Sequence, residues 1–291
     1  MENIDQITTP HTNSTTELPP LSLNQSKKPF FIGFSDYLQA LKKWELLSYV
    51  AYADIRKRYR RTVIGPFWAT LSLAIFVTSM GILFSLLWHT NVSTYLPFFA
   101  SGFIVWTFFS AMIIESCVTF TSAEGYLKQV SMPYSFYAFL VICRNFIVFL
   151  HQFVIYLVIA FIFRIPVTHY TWLTIPSFFL LILNASWITI ALGLLCSRFR
   201  DVQQIINSVL QIAMFVTPLF WPEKQLGHSI AAFLCIDLNP FYHFVSIVRY
   251  PLLGEPAPLI SWFADIFILV IGWTFTMYSL GRYYNKLIYW L

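Results

Sequence analysis

Charged residues are scarce in this chain. Asp, Glu, Lys and Arg make up 11% of its 291 residues, whereas hydrophobic residues make up 58%. A soluble domain is usually about 25% charged, and so few charged groups cannot cover the surface of a water-soluble globule of this length. The composition therefore excludes a soluble domain and indicates an integral membrane protein.

The sequence also lacks the motifs of common enzymes and ATPases. It contains no G-x-x-x-x-G-K-[ST] phosphate-binding loop, no H-E-x-x-H, no G-x-S-x-G and no close pair of carboxylates. An enzyme that handles lipid phosphates should gather several ionisable groups at one membrane face. The loops that we assign below to the outer side carry only Glu223, Asp237 and Glu255 as acids. We predict that the chain is not an enzyme and has no catalytic or cofactor-binding residues.

Cysteine and histidine are too dispersed to suggest a metal site. The four cysteines include no C-x-x-C pair, and the six histidines are scattered along the chain. A free cysteine inside an apolar run behaves as a small hydrophobic residue. We therefore expect neither a disulfide framework nor a bound metal.

Residues 1–30 have no hydrophobic region of the kind found in a signal peptide. They are rich in Thr, Ser, Asn and Pro, a composition that cannot bury enough apolar surface to become ordered. We predict that these residues form a disordered cytoplasmic tail.

Long apolar runs dominate the rest of the chain. Each is close to the roughly 20 residues that an α-helix needs to cross a bilayer. We predict an all-α integral membrane protein whose transmembrane domain spans residues 63–291. Its six transmembrane helices are expected at about 66–88, 96–120, 138–163, 172–196, 202–221 and 259–281.

Lys and Arg are distributed unequally between the two sides of this arrangement. Fourteen of the 18 share a side with the N-terminus, three (Arg164, Lys224 and Arg249) lie on the opposite side, and Arg144 lies within a crossing. Positive residues accumulate on the cytoplasmic side, so we expect both termini in the cytoplasm. The basic residues lie beside apolar runs, where membrane lipid headgroups explain the net charge of +5 better than nucleic acid does.

Residues 31–62 are predicted to form an amphipathic helix in the cytoplasmic interface. Ser35 can cap a helix that begins at Asp36. A helix packed in a small soluble domain is the alternative, but no nearby segment could supply its core. Apolar residues recur at the steps of three or four that one helix face requires: Tyr37, Leu41, Trp44, Leu47, Ala51 and Ile55.

Residues 222–258 are too long for a turn and too apolar for a solvated loop. Asn239-Pro240, Pro251, Pro256 and Pro258 divide them into pieces too short to cross a bilayer. Short apolar helices that enter and leave on one face fit these lengths. We predict a re-entrant hairpin on the outer side between the fifth and sixth crossings.

Two ionisable residues lie at matching depths inside predicted crossings. Glu115 is near the inner end of the second crossing, and Arg144 is near the inner start of the third. A charge within a bilayer is paired or faces water. We predict an intramembrane ion pair that clamps the two helices, with a water-filled path as the alternative. Asp265, near the outer end of the last crossing, is expected to reach the interface.

Four parts of the sequence resemble ABC-2-type polysaccharide export permeases. Residues 56–68 (RKRYRRTVIGPFW) are similar to the start of the family's first helix, and residues 124–133 (EGYLKQVSMP) to its second cytoplasmic loop. Residues 198–202 (RFRDV) resemble the turn between its fourth and fifth helices. Residues 217–222 (TPLFWP), followed by residues 239–241 (NPF), resemble the end of its fifth helix and its re-entrant region.

The resemblance implies a homodimer of this chain with two copies of a separate ABC ATPase subunit, which would bind the ATP and Mg²⁺. Such a complex exports a lipid-linked polysaccharide, such as O-antigen, a capsule or a teichoic-type polymer, across the bacterial inner membrane. In this family the interfacial helix and the second cytoplasmic loop contact the ATPase. The coupling residues implied here are Glu124, Gly125, Tyr126, Leu127, Lys128 and Trp44. In the loop, the apolar residues expected to be exposed are Tyr126, Leu127, Val130 and Met132.

Aromatic residues make up 19% of the chain. Tyr and Trp combine a flat face with a hydrogen-bond donor, so aromatic faces along a pore can stack on sugar rings. Most are expected to face lipid or the membrane interface, as in other membrane proteins. The candidates for a channel or outer gate are Phe98, Phe99, Trp106, Phe109, Phe220, Trp221 and Tyr242.

Two other functions are compatible with parts of this pattern. An ABC-2 exporter of a small lipophilic compound would share the helix count. A membrane enzyme of glycan or lipid assembly would need the acidic clusters that the chain lacks. A neighbouring ATPase gene would separate transport from the enzyme, and neighbouring glycosyltransferase genes would favour a polysaccharide substrate.

Overall fold

The computed structural model describes residues 28–58, 67–223, 227 and 229–291, and the described part is built from helices. The helices before residue 200 are α1, Pro29–Lys42; α2, Trp44–Arg58; α3, Phe67–Leu87; α4, Val92–Cys117; α5, Thr119–Ser122; α6, Glu124–Leu127; α7, Tyr134–Ile162; and α8, Thr174–Arg198. The later helices are α9, Val202–Val216; α10, Ile230–Ala232; α11, Pro240–Leu252; α12, Leu259–Tyr283; and α13, Leu287–Trp290. The predicted tail up to residue 27, and residues 59–66 of the first resemblance segment, lie outside the described residues.

Five helical segments of the described chain are long and apolar enough to cross a membrane. They contain α3, α4, α7, α8 and α12. The predicted fifth crossing is the exception, because α9 has 15 residues and ends at Val216 rather than near residue 221. Thr217 adopts an extended backbone (φ −74°, ψ 135°), since the ring of the following Pro218 disfavours a helical conformation in the residue before it.

Two short helices fill the region between α9 and α12. α10, continued by the π-helical turn Phe233–Asp237, meets α11 at a bend of 71°. Asn239 fixes the start of α11, because its side-chain oxygen accepts a hydrogen bond from the Phe241 N–H at 3.0 Å. Its amide nitrogen donates to the Thr217 hydroxyl at 2.9 Å. Such a bent pair is either a broken span or a re-entrant loop, so the outer hairpin stays a prediction.

The sequence predicts that Pro251 ends a helical piece, but the structure shows otherwise. Pro251 lies inside α11, which continues to Leu252. A proline inside a helix leaves the carbonyl four residues earlier without its backbone donor. Here that carbonyl belongs to Ile247, and the Ser177 hydroxyl of α8 donates to it at 2.6 Å. The lost backbone hydrogen bond is thus replaced by one that fastens α11 to α8.

The predicted interfacial helix is divided in two, and Ser35 does not cap it. α1 begins at Pro29, a residue that fits the first turn of a helix, and the chain turns at Lys43. The predicted apolar stripe therefore does not lie on one face: Leu47, Ala51 and Ile55 are buried, whereas Leu41 and Trp44 are exposed. In α1 the buried residues are instead Gly33, Asp36 and Ala40.

α4 lies at the centre of the bundle and is the most buried of the candidate spans. It packs against α3, α7, α8 and α11. A second hydrophobic cluster joins α1, α7 and the end of α12. This second cluster and the first, which surrounds α4, both include residues of α7 and α8.

Candidate coupling and translocation site

α6 and the residue that follows it carry a charged pair at the surface. Glu124 and Lys128 form a salt bridge of 2.5 Å, and each side chain is nearly half exposed. Lys128 lowers the pKa of the Glu124 carboxyl group, and Arg200 lowers it further. Because Arg200 belongs to the turn between α8 and α9, that turn lies near α6. Gly125 faces open space, since a Cβ added there would meet no atom within 4 Å.

The apolar residues of this loop do not all face outward. Tyr126 is 66% exposed and Val130 is 46% exposed. The prediction that Leu127 is exposed is wrong, because only 7% of its surface is accessible. Neighbouring residues of a helical turn point about 100° apart, so Leu127 turns into the second hydrophobic cluster while Tyr126 turns away from it. Met132 is half-buried.

A cleft of about 560 Å³ separates α2 from α5, α6 and the start of α7. Val50 and Asp54 line it from α2, whereas Tyr126, Val130 and Arg144 line it from the opposite side. Most of the wall is apolar, and its charged residues are Asp54, Lys57 and Arg144. Trp44, the predicted coupling residue of the interfacial segment, is exposed and lies outside the cleft.

Arg144 connects three helices. Its Nη2 lies 3.4 Å from the Glu115 carboxylate of α4, the contact that the sequence predicts. Its Nη1 lies 3.0 Å from the Asp54 carboxylate of α2, a contact that the sequence does not predict. Asn145 also donates to Glu115 at 3.0 Å. The two carboxylates therefore share one guanidinium group, and the cluster joins α2 to the bundle.

α9 exposes polar side chains. Gln204, Ser208 and Gln211 are exposed, and their spacing places them on one face of the helix. Leu210 is the buried residue of α9. A helix with this composition is too polar on one side to lie entirely against lipid tails.

Most of the aromatic residues predicted to line a channel are buried inside this one chain. Five of them are buried: Phe99, Trp106, Phe109, Phe220 and Tyr242. Phe99 and Phe220 have ring centroids 5.5 Å apart, so this contact packs α4 against the segment after α9. Phe98 and Trp221 are half-buried. A role for these aromatics in lining a channel stays a prediction.

Arg249, counted above as a cation of an outer loop, is completely buried in α11. Its Nη1 donates to the Pro218 carbonyl at 2.8 Å and lies 3.8 Å from the Glu223 carboxylate. Its guanidinium carbon lies 4.2 Å from the centre of the Phe98 ring. Glu223 in turn accepts hydrogen bonds of 2.8 Å from two tyrosine hydroxyls of α11, those of Tyr242 and Tyr250. No periodic pattern in the sequence marks this cluster.

Asp265 does not reach the interface as predicted. It is completely buried in α12, and among the described residues its carboxyl oxygens have no hydrogen-bond partner. Its backbone carbonyl accepts a hydrogen bond from the Asn184 amide of α8 at 3.4 Å. Asp265 therefore lies at the contact between α8 and α12, because the helix turns this position inward.

Comparison with known proteins places these elements in a wider group. Residues 45–253 match the family model described as ABC-2 type transporter. The O-antigen export system permease protein RfbA of Myxococcus xanthus is 22% identical over 196 residues, which are 67% of this chain and 75% of that protein. Two proteins of the same name from Klebsiella pneumoniae are 20% and 21% identical over 202 and 199 residues, in each case 68% of this chain and 76% of the relative. The family match includes the cleft, α6, α9 and the Arg249 cluster.

Proposed function

The chain belongs to the ABC-2 type transporter family, and we propose that it is the channel-forming membrane subunit of a polysaccharide exporter. The similar proteins named O-antigen export permeases support a lipid-linked, O-antigen-like polysaccharide as the substrate. The chain is a transport subunit and not an enzyme, so the energy comes from a separate ABC ATPase that binds ATP and Mg²⁺. The complex lies in the bacterial inner membrane with both termini of this chain in the cytoplasm.

The proposed contact with the ATPase is the surface of α6 together with the cleft beside it. A loop that contacts only water gains no stability from exposing the large apolar side chains of Tyr126 and Val130. A few aromatic or aliphatic anchors surrounded by polar groups are what protein interfaces use, and Glu124 and Lys128 supply polar groups here. Because Arg144 joins α2 to α4 and α7, a displacement at this surface would reach the centre of the bundle.

The polar face of α9 is the observation that carries the proposal. Lipid tails cannot hydrogen-bond the side-chain amides of Gln204 and Gln211, so this face must meet water or protein. A second copy of the chain placed opposite α9 would enclose a polar path, and a hydrophilic polymer needs such a path. We therefore infer a homodimer with α9 of each copy beside the path. Phe98 and Trp221, the half-buried members of the aromatic set, are then the candidates for its outer gate.

Deletion of the gene in its bacterial host tests this function. We expect surface polysaccharide to be lost and lipid-linked polymer to accumulate in the cytoplasmic leaflet, and the full chain supplied with its ATPase should restore export. The purified chain alone should hydrolyse no ATP. Normal surface polysaccharide in the deletion strain, with loss of export of a small lipophilic compound, would support the alternative transporter. ATP hydrolysis by the purified chain, free of any partner, would contradict the proposal that a separate subunit hydrolyses the ATP.

A further inference from the structure

Asp36 is a buried carboxyl group that connects three helical segments. Its side chain is only 2% exposed. Oδ1 accepts a hydrogen bond from the backbone N–H of Tyr134 at 2.9 Å, and Oδ2 accepts one from the backbone N–H of Ser135 at 2.8 Å. Oδ1 also accepts a hydrogen bond of 3.1 Å from the Tyr284 hydroxyl. One side chain of α1 is thereby bonded to the first turn of α7 and to the segment that follows α12.

α7 depends on this distant group because it has no cap of its own. The first N–H groups of a helix lack partners within the helix. The residue before α7 is Pro133, and no side chain from the N-cap position bonds to the helix. Asp36 supplies the missing acceptors from another helix, and a negative charge is favoured at this end of a helix. Burial raises the pKa of Asp36, and its hydrogen bonds oppose that rise.

Close packing holds α1 in place at a second point. A Cβ added to Gly33 would collide with the Met277 backbone of α12. A Cβ added to Gly281 of α12 would collide with the Pro29 backbone of α1. The two helices therefore approach each other more closely than side chains would allow. α1 is fixed to α12 by this contact, and Asp36 extends the connection to α7.

We propose that Asp36 is a positioning residue that ties the start of α7 to α1 and α12, so that motion at α6 is transmitted to the last transmembrane helix. This inference rests on the proposed function of α6 as the ATPase contact. Residues 128–133 connect α6 directly to α7, so a displacement of α6 reaches the start of α7 first. Without the carboxylate, that end of α7 loses its hydrogen bonds to α1, and the ring contacts of Tyr37 with Phe139 and of Tyr134 with Tyr284 remain as the connection. ATP would then be hydrolysed with little export.

The test compares Asp36→Asn with Gln39→Ala, an exposed position of the same helix. Both full-length variants are assembled with the ATPase in inner-membrane vesicles, and the ratio of polysaccharide exported to ATP hydrolysed is measured. We expect Asp36→Asn to lower this ratio about tenfold, within the range typical of coupling between sites, at an unchanged rate of ATP hydrolysis. Gln39→Ala should leave the ratio unchanged. An unchanged ratio for Asp36→Asn, or a parallel loss of hydrolysis and export, would overturn the inference.

A variant that gives α7 its own helix cap distinguishes a positioning role of Asp36 from a role in stability alone. Pro133→Ser supplies a hydroxyl at the N-cap of α7, where serine is a preferred residue, without any bond to α1. Added to Asp36→Asn, it should restore thermal stability but not the ratio of export to hydrolysis, judged against Pro133→Ser alone. Recovery of the ratio would show that Asp36 acts only as a helix cap. A wild-type complex that exports no polysaccharide would overturn the proposed function instead, whatever the Asp36 variants do.

Discussion

The Asp54 carboxylate of α2 lies 3.0 Å from the Arg144 guanidinium group of α7. The same guanidinium reaches Glu115 of α4 at 3.4 Å. One cation thus serves two carboxylates, and all three side chains are only partly exposed. The arrangement makes Arg144 the member whose loss has the largest effect, because two neighbouring negative charges would remain.

Arg144→Ala is expected to lower the free energy of unfolding by about 1–3 kcal/mol, between the values for exposed and buried ion pairs. Glu115→Gln should cost less, since the amide oxygen still accepts the hydrogen bond from Asn145. Thermal unfolding in detergent measures both. The triple variant Asp54→Asn, Glu115→Gln, Arg144→Met should be milder than Arg144→Ala, because no unpaired charge remains. A triple variant as unstable as the sum of the three single changes would contradict this account.

The number and position of the long helices could largely be predicted from the sequence, because a bilayer sets both the length and the hydrophobicity of a spanning helix. α3, α7 and α12 lie close to their predicted ranges. The contact between Glu115 and Arg144 was also predictable, since neighbouring antiparallel helices bring equal depths together. The early end of α9 follows from Thr217-Pro218, a local signal that apolar composition alone obscures.

The contacts that tie the elements together could not be predicted in the same way. Asp36 and Tyr134 are 98 residues apart, and their hydrogen bond depends on how α1 packs rather than on any periodicity. Arg249 appears in the sequence as an ordinary cation near a proline, and only the fold encloses it. Hydropathy predicts the spanning helices and the depth of each residue along them, whereas tertiary packing sets the partners of buried polar groups.

Tyr126→Ala combined with Val130→Ala tests the surface formed by α6 and the loop that follows it. We expect the variant to reach the membrane at its normal level, to lose about tenfold or more of its affinity for the ATPase, as loss of interface anchors does, and to export no polysaccharide. Co-purification with the ATPase and surface polysaccharide in cells are the measurements. Tyr289→Ala is the matched control, because Tyr289 is 87% exposed and is not a lining residue of the cleft. Normal export by the double variant would indicate that α2, rather than α6, contacts the ATPase.

Leu127→Ala should behave differently from the variant that changes Tyr126 and Val130. Leu127 is buried, and removing a buried leucine side chain costs about 2–5 kcal/mol. We expect a lower unfolding temperature and less protein in the membrane, with ATPase binding per folded molecule preserved. A Leu127→Ala protein that is stable but cannot bind the ATPase would show that this side chain turns outward in the complex.

The polar face of α9 should be accessible to water in the assembled exporter. Single cysteines at Gln204, Ser208 and Gln211, in a chain whose four native cysteines are replaced by alanine, should react with a membrane-impermeant thiol reagent. Cysteines at Ile205 and Ile212 serve as controls, because these exposed apolar residues are expected to face lipid. Reaction should be several times faster on the polar face, since thiolates form in water and not in hydrocarbon. Equal rates on both faces would argue against a path beside α9.

The burial of Arg249 makes Gly102 a sensitive position. A Cβ added at Gly102 would overlap the Arg249 guanidinium group, whereas one added at Gly125 meets no atom within 4 Å. The guanidinium cannot move aside freely, because the Pro218 carbonyl and the Phe98 ring hold it. Gly102→Ala should therefore lower the free energy of unfolding by about 1–3 kcal/mol, as overpacking does, and Gly125→Ala should change it by less than about 0.5 kcal/mol.

A second variant identifies the cause of that loss. Arg249→Met removes the guanidinium group and opens space beside Gly102, so Gly102→Ala should cost less in an Arg249→Met background than in the wild type. The difference should be about 0.5–3 kcal/mol, the range found for residues in contact. Thermal unfolding of the four proteins in detergent completes the cycle. Strictly additive effects would mean that the methyl group is accommodated elsewhere and that Arg249 is free to move. The Arg249 cluster could then not be regarded as a fixed part of the bundle.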